Sequence, residues 1–249
     1  MARKGMTRQI KRVASPRNWQ IKRKVTKWIA KTHPGPHSIE QSLPLALIVR
    51  DLLGYARTMR EVKQILREDK VKIDGKIRRD PHFPVGLMDT IEFVPSGEFY
   101  RMIPKSGSGF KLVKISSEES KIKLCRIVNK TMTKGGLIQL NLHDGRNILL
   151  TKERLEENPD LKTLRTKDVV KIQVPEQNIL DFVKFEIGSL AFVFAGKNVG
   201  KTGKLVEYEI RFGPHASVAT LQSESGELFQ TALDYVFVIG KESPIITLE

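Results

Sequence analysis

The sequence predicts an α+β protein of several small domains. These are a basic N-terminal extension (residues 1–41), a unit of two helices and a β-hairpin (42–105), a central small β domain (106–175) and a C-terminal small β-barrel (176–249). Three observations carry this. Acidic residues are absent from residues 1–39. Helical spacing of apolar residues is confined mainly to 42–70. Beyond residue 110, short apolar or alternating runs are separated by glycine-rich turns, the pattern of small β domains.

In the extension, Arg3, Lys4, Arg8, Lys11, Arg12, Arg17, Lys22, Arg23, Lys24, Lys27 and Lys31 carry eleven of the fifteen net positive charges of the 249-residue chain. Such a balance points to an acidic polymer as partner. Val13, Trp19, Ile21, Val25, Trp28 and Ile29 are too few to bury the arm alone. Both tryptophans lie here, so the arm is expected to thread along RNA, with cations on phosphates and rings on bases or a neighbour. A solvated tail and an organelle transit peptide are the blander alternatives, and the lack of serine before Ser15 argues against the second.

In the helical unit, Ser42 is the expected N-cap of a first helix. Pro44 falls in its first turn, Leu45, Ile48, Val49, Leu52 and Leu53 form its stripe, and Gly54 is its stop. "TMRE" opens a second helix through a capping box of Thr58 and Glu61. Met59, Val62, Ile65 and Leu66 form its apolar stripe, and Arg60, Lys63, Arg67 and Lys70 share another face. "VKIDGKIRR" reads as a hairpin turning at Asp74-Gly75, 80–87 as a loop and "DTIEFV" (89–94) as a closing strand. Lys72, Lys76, Arg78 and Arg79, with Arg50 and Arg57, concentrate cations in this unit, so phosphate contact is expected.

Residues 96–109 suggest a boundary with one short strand around "FYRMI". The strands expected beyond it are 110–115, 123–132, 137–142, 147–150 and 169–174, with short helices in "EESK" and "KERLEENP". In the last segment "GSLAFVFAG" and "KLVEYEIRF" are strands, the second with Val206, Tyr208, Ile210 and Phe212 on one face.

"AGKNVGKT" (195–202) has the outline of a phosphate-binding loop. Such a loop must open a helix whose N-terminus cradles the phosphates. Here Gly203 and then a period-two segment follow, so the run is a glycine-rich turn between strands. Gly196, Gly200 and Gly203 allow positive φ and a tight reversal, and Lys197, Lys201 and Lys204 ride outward on it.

"LAFVFAGKNVGKTGKLVEYE" resembles the KOW motif, an element of SH3-like β-barrels, with Gly196, Gly200 and Gly203 matching its glycine turn. Residues 43–93, with two helices, "VKIDGK" and "GLMDTIEF", resemble the RNA-binding module named after bacterial small-subunit ribosomal protein four. In this order, with "KRVASPRNWQIKRK", "GLIQLNLHDGRNI" and "LDYVFVIGK", the chain resembles the archaeal and eukaryotic S4e family over nearly its whole length. The resemblance implies a cytoplasmic structural protein of the small ribosomal subunit, bound to rRNA and neighbouring ribosomal proteins, with no catalysis, cofactor, small-molecule substrate or membrane. The ending "SPIITLE", without the further basic tail of eukaryotic members, is similar to archaeal ones. The resemblance also implies that the helix–hairpin face grips rRNA and that the arm orders on assembly.

Other chemistry finds little support. Pro34-Gly35-Pro36 forbids His33 and His37 a helical ligand pair, so no metal site is expected. Cys125, the only cysteine, lies in an apolar strand pattern and is expected to be a buried inert thiol. His143-Asp144 reads as a turn. An RNA-modifying enzyme would need a catalytic domain where 106–249 offers small β pieces. A polymerase-binding transcription factor does not account for the acid-free arm.

Overall fold

A computed structural model describes residues 9–248 apart from 108, 134 and 214. In the arm, β1 (Ile10–Lys11) pairs antiparallel with β2 (Trp28–Ile29). The loop between them is not an open thread. Trp19 is 2% exposed in the core of the helical unit, and its indole N–H donates to the Ser42 carbonyl at 2.9 Å. This aromatic anchors the arm, and Ile21, Ile29 and Ala30 pack partly against the same core.

Next comes β3 (Ser42–Pro44), then helix α1 (Leu45–Leu47), which continues as a π-helical turn over Ile48–Leu52. Ser42 is therefore a strand residue and not an N-cap; its hydroxyl donates to the Ser38 carbonyl at 2.7 Å. Pro44 sits at the cap position with extended backbone. Leu45 to Val49 are all buried, because this helix passes through the core and does not lie on it. Gly54 ends the segment at φ +71°. Helix α2 (Met59–Arg67) has the expected Thr58–Glu61 capping box.

The strands β4 (Val71–Ile73) and β5 (Lys76–Ile77) turn at Asp74-Gly75, both at positive φ. The expected loop at 80–87 contains β6 (Pro84–Gly86), which pairs with β3. Then come β7 (Thr90–Phe93), β8 (Glu98–Pro104) and β9 (Phe110–Ile115). β8 spans seven residues and is hydrogen-bonded on both sides. The strand expected to open the central region, β9, instead closes the sheet β5-β4-β7-β8-β9 of the helical unit.

After the short helix α3 (Ser117–Ser120), β10 (Ile122–Met132), β11 (Ile138–Leu142), β12 (Asn147–Leu150), helix α4 (Lys152–Glu157), β13 (Val169–Gln173) and β14 (Asn178–Val183) build a sheet ordered β12-β11-β10-β13-β14. The long β10 pairs with β13 through its first half and with β11 through its second, shifting register between Ile127 and Asn129. The last sheet, ordered β18-β17-β16-β15-β19, contains β15 (Leu190–Val193), β16 (Thr202–Glu209), β17 (Val218–Gln222), β18 (Leu228–Ala232) and β19 (Val236–Gly240). A 3-10 turn over Leu233–Tyr235 joins the last two strands.

On β16 the expected apolar face lies outside the core. Leu205 is buried, whereas Val206, Tyr208, Ile210 and Phe212 are exposed. A register shift between Leu205 and Glu207 places Tyr208 opposite Ala219, and the strand ends at Glu209, so Ile210 and Phe212 of the expected strand lie in the loop beyond it.

Where the units meet lies a buried ionic cluster. Lys123, on β10, is 1% exposed. Its ammonium is 2.7 Å from Asp74, 2.5 Å from Asp89 and 3.0 Å from Asp144. Arg146 bridges Asp74 (2.6 Å) and Asp144 (3.1 Å), and His37 of the arm lies 3.1 Å from Asp89. Burial alone would lower the Lys123 pKa, but the three carboxylates hold it well above its ordinary value. Burial raises Asp144 and Asp89, and the cations overcome it, taking Asp144 to about 2 and Asp89 well below the usual carboxylate range. A second buried cation, Arg101 on β8, pairs with Glu119 and donates to the carbonyls of Glu119 (2.9 Å) and Ile122 (2.7 Å). Glu119 also accepts from the Thr247 N–H and hydroxyl, pinning the C-terminal segment.

Two expectations follow. Lys123→Met leaves three carboxylates buried without their shared cation, so chemical denaturation should show a loss of about 3–5 kcal/mol. Asp74→Asn combined with Lys123→Met should recover part of it. Secondly, burial lowers the His143 pKa from 6.5 to about 3. Between those values the unfolded chain binds a proton that the folded chain refuses, so stability falls with falling pH, by up to about 1.4 kcal/mol per unit. Asp89 and Asp144, depressed below 3.8, contribute stability that is lost only as the pH drops below about 4. His143→Gln should flatten the stability profile between pH 6.5 and 4 and leave the steeper acid limb, as read by denaturant midpoints across pH.

Candidate nucleic-acid interface

The helical unit builds its charged face from α2 outward. The capping box fixes where the helix begins: Glu61 N–H donates to Thr58 Oγ1, and the Glu61 carboxylate accepts from the backbone N–H groups of Arg57 (2.7 Å) and Thr58 (3.4 Å). With Val62 and Leu66 fully buried, the 3.6-residue period turns Arg60, Lys63 and Arg67 to solvent. These three make no ion pair among the described residues. Arg57 is exposed at the helix entry and Lys76 at the hairpin tip.

Other candidates here already have partners. Arg50 forms a two-point pair with Asp51 (2.8 and 2.9 Å), Lys72 meets Glu92 at 2.9 Å and Arg79 holds Asp69 at 2.6 Å. Arg78 lies 4.5 Å from the Phe83 ring centre, with its Nε buried and unpartnered. The Arg79–Asp69 pair is the most exposed of these, and such a pair is worth about 0–1 kcal/mol, so exchanging its aspartate for a phosphate costs little. Lys70, on the expected cationic row, pairs instead with Glu68.

The arm divides in two. Lys11, Arg17, Lys22 and Lys24 are exposed. Arg12 is 9% exposed and spends its guanidinium on the Lys22 carbonyl (2.5 Å) and Thr26 Oγ1 (3.0 Å). Arg23 donates to Ser15 and Pro16 carbonyls, each at 2.9 Å, and so ties the loop. Arg12 and Arg23 therefore shape the arm from within. Trp28 stays half-exposed, with the Lys27 ammonium 5.5 Å from its ring centre. Arg3, Lys4 and Arg8 lie outside the described residues.

The turn 194–201 runs from β15 into β16, a strand, so no helix N-terminus is present to hold a nucleotide phosphate. Gly196 and Gly200 have φ of +85° and +83°. Gly203 does not have positive φ; glycine is needed there because a Cβ would lie 2.6 Å from the Gln222 carbonyl oxygen. At Gly200 a Cβ would also meet Ser106 backbone at 2.5 Å, so the turn is wedged against the helical unit. Lys197, Lys201 and Lys204 are exposed, Lys201 lying 5.3 Å from the Phe229 ring centre.

Cys125, His143 and Asp144 place three potential metal-ligand atoms within 4.8 Å of one another. Their hydrogen bonds argue against ligation. His143 Nδ1 accepts from the Arg126 N–H at 3.2 Å, which leaves Nε2 to donate to the Leu87 carbonyl at 3.3 Å. Asp144 is held by Lys123 and Arg146, and burial keeps the Cys125 thiol protonated. His33 and His37 likewise go to separate carboxylates, Asp80 and Asp89. The inward roles of Asp74, Asp89, Lys123 and Asp144 escape sequence reasoning, although two of these aspartates stand in recognisable Asp-Gly turns.

Comparison with known proteins matches three family models in chain order: an RS4NT domain over residues 4–40, an S4 domain over 45–91 and the ribosomal family S4e over 96–179. Proteins named small ribosomal subunit protein eS4 align with the entire chain. That of Aeropyrum pernix is 48% identical and that of Desulfurococcus amylolyticus 47%, each covering 98% of the relative, and that of Methanocaldococcus jannaschii is 44% identical over its full length. The crystal structure of the 30S ribosomal protein S4e from Thermoplasma acidophilum is 34% identical, with a TM-score of 0.66 over 81% of this chain and 96% of that one. This is a family of ribosomal structural proteins and not of enzymes. Whole-length identity and the ordered domain matches agree: the chain belongs to the S4e (eS4) family of small ribosomal subunit proteins.

Proposed function

We propose that this protein binds rRNA in the small ribosomal subunit through the α2–hairpin face, the exposed cations of the arm and the lysine-bearing turn, and so supports subunit assembly and translation in the cytoplasm. One observation carries the reading: Arg60, Lys63 and Arg67 form an exposed row on a firmly capped helix, without carboxylate partners among the described residues. Such a row suits phosphates, whose negative charge replaces counterions. Cations of this type reach phosphate and sugar, so the RNA is read by its shape. Arg57 and Lys76 extend the row, and Arg50, Lys72, Arg78 and Arg79 border it.

The last sheet supports the reading of an SH3-like barrel carrying a KOW turn. Its order β18-β17-β16-β15-β19, the 3-10 turn before β19 and the glycine reversal between β15 and β16 suit that architecture. Lys197, Lys201 and Lys204 then form a second RNA-facing group. The whole reading requires no cofactor, metal or small-molecule substrate.

Arg60→Glu with Lys63→Glu should leave the fold intact, since both side chains are exposed, and lower incorporation into small subunits in sucrose gradients about tenfold or more. In binding to small-subunit rRNA, the slope of log affinity against log salt should drop by roughly one for each phosphate that is no longer neutralised. Unchanged sedimentation would remove this face from the interface. Because Trp19 belongs to the core, the arm is tested by neutralisation and not by deletion. Lys22→Gln with Lys24→Gln should flatten the salt dependence by up to about two units of slope while denaturant stability stays the same.

A further inference from the structure

A cavity of about 660 Å³ lies where the arm, the helical unit, the central sheet and the last sheet meet. Ile10, Ile39, Phe110, Phe194 and Val199 give it apolar walls. Its size and lining are those of a ligand pocket. Two polar groups on the lining lack what burial demands. Arg126 is half-buried, with its guanidinium 4.9 Å from the Phe194 ring centre. Its Nη1 donates to the Asp234 and Val236 carbonyls at 2.6 and 3.1 Å. Among the described residues Nε and Nη2 donate to nothing, and no carboxylate lies within ion-pair distance of the group. Burial lowers its pKa, the sign of a charge only partly compensated. Asn18 donates through Nδ2 to the Glu40 carbonyl, while its Oδ1 is buried without a partner. His37 and His143, on the same lining, are already engaged by Asp89 and by Leu87 and the Arg126 N–H. The cavity therefore presents a two-donor fork and a lone acceptor, and groups of this kind cost stability until something pairs with them.

Charge indicates the occupant. Glu40 is the one acid among the described lining residues, against Arg17 and Arg126. Exposed Lys11, Lys105 and Lys197 each directly follow a lining residue in the chain. A cationic rim around an apolar pocket suits a nucleotide, whose phosphates stay outside on the lysines while its base enters. An apolar peptide carries no charge that this rim would select. Among the bases, guanine presents two acceptors, O6 and N7, side by side for an arginine fork, and it carries N–H donors as well.

We propose that this cavity takes an unstacked guanine of the small-subunit rRNA, with the free edge of the Arg126 guanidinium on the O6 and N7 side of the base. This rests on the rRNA reading and deepens it. The α2 row follows the RNA backbone and carries no base information, whereas the cavity reads one splayed-out base. Phe194, beneath the guanidinium, and the two carbonyls on Nη1 hold the fork in place before the base arrives. The arm and the 194–201 turn, which line the cavity from two sides, bring their lysines to the flanking phosphates.

The test probes small subunits isolated on gradients from cells whose full-length chain is wild type or Arg126→Lys. Lysine keeps the charge and loses the fork. Dimethyl sulfate reads guanine N7, and hydroxyl radicals read the RNA backbone along the α2 row. One guanine shielded in wild-type subunits should become several-fold more reactive at N7 in the variant, with the α2 footprint unchanged and the chain stoichiometric. A second variant, Val199→Trp, fills the cavity, leaves Arg126 in place and should expose the same guanine. If the lysine variant fails to incorporate, the second decides alone. No N7 change, different guanines in the two variants, or loss of a neighbouring protein without an N7 change would overturn the proposal, the last by marking a peptide pocket. A chain left at the top of the gradient defeats the rRNA reading and the cavity with it. A chain that sediments with its α2 footprint but shields no guanine defeats the cavity alone.

Discussion

The arrangement of this protein depends on one ammonium group. Lys123 leaves β10 of the central sheet and enters a cavity among carboxylates contributed by the helical unit (Asp74 and Asp89) and by a turn of its own sheet (Asp144). A charge so deep is tolerated only when paired and hydrogen-bonded. Each partner is also held from behind. Asp74 accepts from the N–H of Thr90, Asp89 from the N–H of Gly86 and Asp144 from the N–H of Arg146. His37 brings the arm to the same point, and the His143 ring leans on Phe237 of the last sheet. Every unit thus has a residue at or beside the cluster, which favours one relative placement of the units over others that apolar packing alone would allow.

That placement gives the surface cations their meaning. Residues with cationic side chains have three fates here. Lys123, Arg101 and Arg12 are spent internally, and Arg126 in part, donating to the Asp234 and Val236 carbonyls across a sheet boundary. Arg50, Lys72 and Arg79 rest on nearby carboxylates. Arg60, Lys63 and Arg67 have none within ion-pair distance among the described residues. Net charge identifies a class of partner, but only this sorting separates groups able to leave for a phosphate from groups on which the fold relies.

Much of the structure is legible in the sequence because its causes are local. Thr58 and Glu61 cap a helix through atoms three residues apart, and Asp74-Gly75 closes a hairpin through its own dihedrals. Period two predicts a strand over 204–212, of which 204–209 forms, and removes the phosphate-loop reading of 195–202. What stays hidden is long-range. Asp74 and Asp144 look like turn residues, and they are, but their carboxylates serve a lysine 49 and 21 residues away. Trp19 looks like a base-stacking ring, and its partner is a carbonyl 23 residues on. The alternation of β16 is real, yet nothing in it shows where the core or the strand ends, and the face of Val206, Tyr208, Ile210 and Phe212 is exposed, with its last two residues beyond the strand. The family match over the full chain supplies what such local signals lack, an order of domains.

The wedge at Gly200 bears on who adapts to whom. With its backbone pressed against Ser106, the 194–201 turn cannot swing relative to the helical unit without breaking packing on both sides. The spacing between its lysines and the α2 row is then a fixed length, like the jaws of a gauge. An RNA that meets both must already have the right separation between its phosphates, or bend until it does. In the proposed rRNA complex the conformational entropy of association then falls on the nucleic acid.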